Sequence, residues 1–457
     1  MHIRFWGTRG SLAKPGVSTL RYGGNTSCVE ARLADGTLVV FDCGTGAHGL
    51  GLALSASPTQ PVDGHLLITH THWDHIQGLP FFTPLFVAGN TWDIYAPGGL
   101  GGRRLEDTLA GQMEYTYFPV TLGQLGATIH YHDLVEGSFD LASGRVTTQY
   151  LNHPALTLGY RLEAGGASVV YATDHEPHAR HKSETNEIQA ASARTLEIHH
   201  EEQRHIAFLA HADLVIHDSQ YTATEYPQKL GWGHSTVEYA VDVALAAHVK
   251  RLALFHHDPL RHDDALDQIV EVCRQRVLAR GGTLEVFAAA EGQVIELPET
   301  ASRRIPPAGR SEVATAEALE NTPTTGLTVL IVDDDPDIVR LLMAALRPEG
   351  FRLLSAYDGD TALRLAYDER PSLILMDWNM PGRDGLEVCR QLRAALDARL
   401  QVMPVVLLTA QSGEEHIAAG FAAGVTDYLT KPFNPAYVRS RVREWLLRMH
   451  PTAPETL

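Results

Sequence analysis

Cysteine is scarce in this chain of 457 residues. Cys28, Cys43, Cys273 and Cys389 stand far apart without CxxC spacing, which argues against both a disulfide framework and a thiolate zinc site. Buried packing in a reducing cytoplasm is their expected role. Positive charge is also short: 37 Lys and Arg face 55 Asp and Glu, a formal net charge of -18. Gripping the phosphate backbone of nucleic acid takes dense Lys and Arg, so DNA is not an expected partner, whereas a small anion held by metal ions is compatible with this balance. Long apolar runs are missing as well. No stretch approaches the ~20 residues of a membrane-spanning helix, and the opening MHIRFWGTRG lacks the apolar core of a signal peptide. The expectation is a cytoplasmic protein with no membrane partner. What the chain does have is length and a hydrophobic content of 44%, enough for two or three domains with separate cores.

Residues 69–78 read THTHWDHIQG and follow the apolar run 66–68. The run predicts a buried strand, and Gly78-Leu79-Pro80 limits any helix beyond it. His70, His72, Asp74 and His75 therefore project from a strand end into a tight turn. Imidazoles and carboxylate crowded there desolvate one another unless a cation binds, and a divalent zinc, manganese or iron ion suits such donors. The same placement recurs along the chain. Asp42 closes the strand-like 37–42, where it is expected to steady a metal-bound imidazole from behind. His153 follows 146–151, Asp174 follows 168–173, His217-Asp218-Ser219-Gln220 follows 213–216, and His256-His257-Asp258 follows 252–255. Gly233-His234-Ser235-Thr236 opens a helix predicted over 237–248, with Ser235 or Thr236 as N-cap. The loop RYGGNTSC at 21–28 reads as a surface loop or a pocket lining, and the polar stretch 176–203, with His178, His181, His199 and His200, as an inserted helix or lid with solvated histidines.

In chain order, HTHWDH, His153 ahead of GYRLE, ATDHE, IHDSQ, GHST and LFHHDP resemble the metallo-β-lactamase superfamily, and within it the ribonuclease Z and phosphodiesterase branch, over residues 1–298. The resemblance implies an αββα sandwich with two divalent metal ions, zinc or else manganese or iron, at one edge of the paired sheets. It implies that His70, His72 and His153 hold one metal, that Asp74, His75 and His256 serve the other, and that Asp174 bridges both. His256 fits the last ligand position better than His257 because it follows its strand directly. Asp74 would also hydrogen-bond the attacking hydroxide, while His234, oriented by Asp218, would stabilise the pentacoordinate phosphorus or protonate the leaving oxygen. Where ribonuclease Z carries His-Glu-Ala-Thr, His217-Asp218-Ser219-Gln220 keeps the carboxylate one methylene shorter, and no basic, glycine-rich arm for transfer RNA is present. A small phosphodiester such as a cyclic nucleotide is the expected substrate. A ribonuclease, or an ester, lactone or thioester hydrolase, is the competing reading.

Over 299–325 the composition shifts to Pro, Ala, Thr, Ser and Glu, with Pro306-Pro307 and Pro323 interrupting regular structure, which predicts a linker. A new α/β pattern follows. Apolar runs at 329–332, 373–376 and 405–408 end in Asp333-Asp334-Asp335, Asp377 and Thr409, and alternate with amphipathic stretches at 338–346 and 385–396. This pattern predicts a doubly wound parallel sheet that binds its ligand beyond the carboxyl ends of the strands. Carboxylates gathered at that edge suit Mg²⁺, and Lys431 brings a cation to the same corner.

VDDD, MDWNMPGRDG, LLTA and KPF resemble a response-regulator receiver domain of flavodoxin-like topology over residues 326–450. The resemblance implies that Asp377 accepts a phosphoryl group from a histidine kinase or phosphotransfer protein. It further implies that Asp333, Asp334 and Asp377 bind Mg²⁺, that Thr409 and Lys431 contact the phosphoryl group, and that Tyr428 is the aromatic switch. Together the halves imply a metal-dependent hydrolase under phosphoryl control, with homodimerisation as one route of coupling. A signalling scaffold with a non-catalytic or ligand-sensing hydrolase fold is the alternative from a different class.

Overall fold

The computed structural model describes residues 1–56, 61–98, 104–177, 200–298, 327–409, 420, 423–431 and 435–449. The expected linker 299–325 lies outside the described residues, as do His178, His181 and His199. The chain divides into two compact units.

The first unit holds two seven-stranded sheets. One runs in the order Val294–Glu296, His2–Gly7, Cys28–Arg32, Leu38–Phe41, Asp63–Leu67, Thr91–Pro97, Thr128–Leu134. The other runs Glu285–Ala288, Arg251–Phe255, Leu214–Asp218, Ala167–Ala172, Thr157–Ala164, Gly144–Leu151, Gly137–Leu141. Alternation decides which face each strand buries. Leu66, Ile68, Trp92 and Ile94 pack in one cluster with residues of the helices Gly46–Ser55 and Leu105–Gln112. Val170, Val215, Leu252 and Leu254 pack with residues of His200–Leu209, Val237–Ala246 and Asp263–Ala279. Phe41 stacks on Tyr171 with ring centroids 5.2 Å apart and Phe5 meets Phe255 at 6.2 Å, so aromatic rings join the two sheets. Helices on the outside and paired sheets within make the αββα layering.

Each sheet contains a parallel block, Leu38–Phe41 to Thr128–Leu134 in one and Ala167–Ala172 to Glu285–Ala288 in the other. Parallel strands end at a common edge, which gathers the residues beyond them. The helix predicted over 237–248 stops at Ala246, and His248 has a left-handed φ of 53°. Thr236 caps its start by accepting from the Tyr239 amide at 3.1 Å.

The second unit is a five-stranded parallel sheet in the order Arg352–Ala356, Thr328–Val332, Leu373–Asp377, Val405–Thr409, Asp427–Thr430. The three central strands are buried along their whole length, which explains their unbroken apolar runs. The second strand in sequence lies outside the first, which is the doubly wound receiver order.

Candidate metal centre and phosphoacceptor site

The parallel strand ends carry the first site. His70 and Asp42 lie just beyond Asp63–Leu67 and Leu38–Phe41, while Asp174, Asp218 and His256 come from the ends of three adjacent strands of the other sheet. The expected turn at Asp74 and His75 is a single turn of α-helix, Trp73–Ile76. It sits against the Asp42-Cys43-Gly44 turn because Gly78 has no side chain: a Cβ there would lie 1.9 Å from the Gly44 carbonyl oxygen.

Two donor groups converge on Asp174. His70 Nε2 and His153 Nε2 lie 3.6 and 3.7 Å from Asp174 Oδ2, and His153 Nε2 lies 3.1 Å from His72 Nδ1. His75 Nε2 and His256 Nε2 lie 3.2 and 3.3 Å from Asp174 Oδ1, and 3.2 and 3.1 Å from Asp74 Oδ2. His70, His72, His153 and Asp174 form one group able to hold a metal ion, and Asp74, His75 and His256 a second. A third, Asp174, Asp218, His234 and His256, overlaps both.

The outer hydrogen bonds decide which nitrogen of each ring faces inward. His75 Nδ1 donates to Asp42 Oδ2 at 2.8 Å, His153 Nδ1 to the Gly233 carbonyl at 2.9 Å, and His256 Nδ1 to Gln220 Oε1 at 3.2 Å. Carboxylate and carbonyl oxygens only accept, so in the neutral ring each Nε2 is left with a lone pair pointing at Asp74 or Asp174. Buried Nε2 atoms of His70 and His75 have no hydrogen-bond partner. Lone pairs aimed at carboxylates in a dry site repel unless a cation lies between them, and this donor set fits divalent metal. Burial holds His70 well below the ordinary imidazole pKa and lowers His153 to about 3. Burial opposes protonation of His75 too, but Asp74, Asp174 and Asp42 push it well above the ordinary value.

Beside these groups, His234 Nδ1 donates to Asp218 Oδ2 at 2.9 Å and lies 3.9 Å from Asp174 Oδ2. Burial disfavours the cation, yet the Asp218 carboxylate raises His234 to about 9. His257 is turned away, bonding the Ala289 carbonyl at 2.9 Å, and burial lowers it to about 3.

In the second unit, Lys431 Nζ bonds Asp333 Oδ2 and Asp377 Oδ1, each at 2.6 Å. Asp334 is exposed beside them, whereas Asp335 caps the helix Pro336–Leu346 through the Asp337 amide at 2.8 Å. Thr409 is buried at the end of its strand. The Tyr428 ring stacks near Trp378, centroids 6.1 Å apart, and a Cβ on Gly420 would collide with its hydroxyl. Burial raises the Asp333 carboxyl despite the nearby Lys431; burial also opposes the Lys431 charge, but both carboxylates hold it above the ordinary amine value.

Residues 37–257 match the family model described as a beta-lactamase superfamily domain, and residues 329–443 that of a response regulator receiver domain. The chain is a metallo-β-lactamase-fold domain fused to a response-regulator receiver. Similar solved structures include the metallo-beta-lactamase fold protein YhfI from Bacillus subtilis, 18% identical, covering 65% of this chain and 99% of that one with a TM-score of 0.45. Human tRNase Z, short form, is 22% identical over 65% of this chain and 100% of that one, with a TM-score of 0.44. The chemotaxis response regulator CheY4 of Vibrio cholerae is 31% identical over 26% of this chain and 98% of that one, with a TM-score of 0.25.

The metallo-β-lactamase fold supports a metal-dependent hydrolase, and the receiver implies a phosphodonor partner. No described helix is long and apolar enough to cross a membrane. Several site contacts have no counterpart in the sequence reading. The Ser11 amide donates to Asp74 Oδ2 at 2.7 Å, and Gln220 Nε2 donates to the Ser11 hydroxyl at 3.2 Å while its oxygen holds His256. Glu176 accepts from the Gly231 and Gly233 amides at 2.7 and 2.9 Å, fixing the loop whose carbonyl holds His153. Gln220 and Glu176 stand in the IHDSQ and ATDHE motifs, whereas Ser11 holds Asp74 through its backbone amide, which no side chain signals. In the RYGGNTSC loop, Asn25 donates from its backbone and side-chain amides to Glu291 at 2.5 and 3.0 Å, and Thr26, Ser27 and Cys28 are buried.

Proposed function

We propose that this protein is a binuclear metal-dependent phosphodiesterase of small phosphodiesters, controlled by phosphorylation of its receiver. In this reading the hydrolase occupies residues 1–298 and the receiver 326–450. His70, His72, His153 and Asp174 hold one divalent ion and Asp74, His75, His256 and Asp174 the other, with zinc the ion best matched to buried imidazoles. Bound ions of this kind supply Lewis acidity and a water acidic enough to act as nucleophile at neutral pH. The protein's own groups do the rest. Asp74 is steadied by the Ser11 amide and orients the attacking water. His234, charged at neutral pH through Asp218, stabilises negative charge on phosphorus and gives its Nε2 proton to the departing alkoxide. Asp218 keeps that imidazole in place, its other oxygen accepting from the Gln220 amide at 3.0 Å.

The observation that carries the choice of phosphorus is the buried His234–Asp218 hydrogen bond, with His234 Nδ1 3.9 Å from Asp174. A cationic acid there matches a dianionic transition state and a poor alkoxide leaving group. In the receiver, Asp377 accepts the phosphoryl group from a histidine kinase or phosphotransfer protein, and Mg²⁺ binds Asp333, Asp334 and Asp377. Thr409 and Lys431 contact the phosphoryl oxygens, and Tyr428 changes position. The four buried, free cysteines fit a reducing cytoplasm. The test is a screen of metal-loaded protein against phosphodiesters, lactones and thioesters, with and without beryllofluoride, following turnover and oligomeric state together. Diester turnover that changes with beryllofluoride supports the proposal; preference for a lactone or thioester overturns it. Asp74→Ala abolishes turnover with an unchanged circular dichroism spectrum.

A further inference from the structure

Three segments around the metal groups each place a large apolar side chain in solvent directly beside a site residue. Leu12, 61% exposed, follows Ser11; Trp73, 74% exposed, lies between His72 and Asp74; Trp232, 56% exposed, precedes Gly233 and His234. Tryptophan is the largest side chain and is seldom left this open without a partner. The Trp232 loop is moreover held rigidly. Gly231 and Gly233 have left-handed φ values of 80° and 86°, and both amides are tied to the buried Glu176 carboxylate, which also accepts from the Tyr226 hydroxyl at 2.8 Å. On this loop Lys229 Nζ sits 4.0 Å from the centre of the Trp232 ring and 5.8 Å from that of Tyr221. The Tyr221 ring in turn lies 5.9 Å from His234. A flat π surface and an ammonium group are thus presented together, one ring away from the proposed acid, on a protein of net charge -18.

We infer that this rim is a nucleobase platform: Trp232 and Trp73 stack the base of a nucleotide whose phosphate lies at the metal groups, and Lys229 attracts its negative charge. The inference rests on the phosphodiesterase reading and narrows its substrate to phosphodiesters that carry a nucleobase. Stacking on an aromatic side chain is tolerant of base identity, so purine and pyrimidine nucleotides both bind.

The test compares AMP with ribose 5-phosphate by calorimetry on the full-length, metal-loaded protein, since the two ligands differ only in the base. AMP is expected to bind at least ten-fold more tightly, an order of magnitude set by base–aromatic stacking, and this preference is expected to fall about ten-fold in Trp232→Ala and measurably in Trp73→Ala. Lys229→Gln weakens both ligands and lowers the salt dependence of binding. Equal affinities for AMP and ribose 5-phosphate, or a preference that survives both tryptophan substitutions, overturn the platform. Turnover separates this from the parent reading. Hydrolysis of base-free glycerophosphodiesters as fast as of dinucleotides overturns the platform and leaves the phosphodiesterase standing. Base-dependent binding without hydrolysis of any diester upholds the platform as a nucleotide site and refutes the phosphodiesterase.

Discussion

Replacing Asp42 by Asn tests whether the metal groups are aimed from behind. Asp42 is fully buried and touches no proposed metal position, but its two oxygens accept four hydrogen bonds. These come from the Thr69 amide at 2.7 Å, the Thr69 hydroxyl at 3.0 Å, His75 Nδ1 at 2.8 Å and the Tyr171 hydroxyl at 2.9 Å. Asparagine accepts the left-handed φ of 58° found there as readily as aspartate does, so the substitution changes charge and hydrogen bonding without backbone strain. One amide oxygen can serve Thr69. The NH₂ group then faces His75 and Tyr171, and the cheapest relief is for His75 to move its proton to Nε2, the atom that faces Asp74 and Asp174. Metal affinity is expected to fall by about 10–100-fold, the usual effect of removing the partner of a ligating imidazole, which is about 1.4–2.8 kcal/mol at 1.4 kcal/mol per factor of ten. Loss of charged hydrogen bonds lowers the stability of the metal-free protein by a further ~1.5–3 kcal/mol. Chelator competition measures the first and urea denaturation the second. A variant that binds metal as tightly as the parent refutes the idea that Asp42 sets the His75 tautomer, whatever its stability.

Three other outcomes follow from the geometry. Proton donation by His234 requires the imidazolium, so activity is expected to fall as pH rises through about 9; Asp218→Asn removes the charge that raises this value and moves the alkaline limb of the kcat profile to lower pH, and an unmoved limb rejects His234 as the acid. Gly233→Ala puts a Cβ 2.2 Å from His153 Nδ1 at a φ of 86°, and is expected to lower both thermal stability and occupancy of one of two metals, read by metal analysis; full occupancy would show that the loop yields without moving His153. Asp377→Asn is expected to abolish labelling by a small phosphodonor such as acetyl phosphate while leaving the melting of the hydrolase unit unchanged, and residual labelling would place the acceptor elsewhere.

Much of this architecture was legible because buried parallel strands write themselves as apolar runs and their ends as the polar residue that comes next. Asp218, Asp377 and Thr409 close their strands, His256 and Asp333 come one residue later, Asp174 two and His70 three. The His234–Asp218 contact needed the family resemblance, since 16 residues separate the partners and nothing local links them. Ser11 and Gly233 escaped for a different reason. They act through a backbone amide and a carbonyl, groups that every residue carries and no side chain announces. The choice of His256 over its neighbour rested on position after the strand, and the fold separates them by sending one ring to the carboxylates and the other to Ala289.

Asp42, Asp174 and His256 share left-handed φ values of 58°, 59° and 59°, each one or two residues past the end of a strand. This sets rules for redesigning metal preference. Asn, Asp, His and Gly tolerate that backbone far better than other residues, so a thiolate introduced at position 256 meets a conformational penalty before any ion arrives. His72, with an extended φ of -65° and ψ of 150°, carries no such burden. If the proposed ligand set holds, a designer seeking a softer metal has a permissive position on the HTHWDH turn and restricted ones on the facing sheet, so the two halves of the candidate centre are open to change to different degrees.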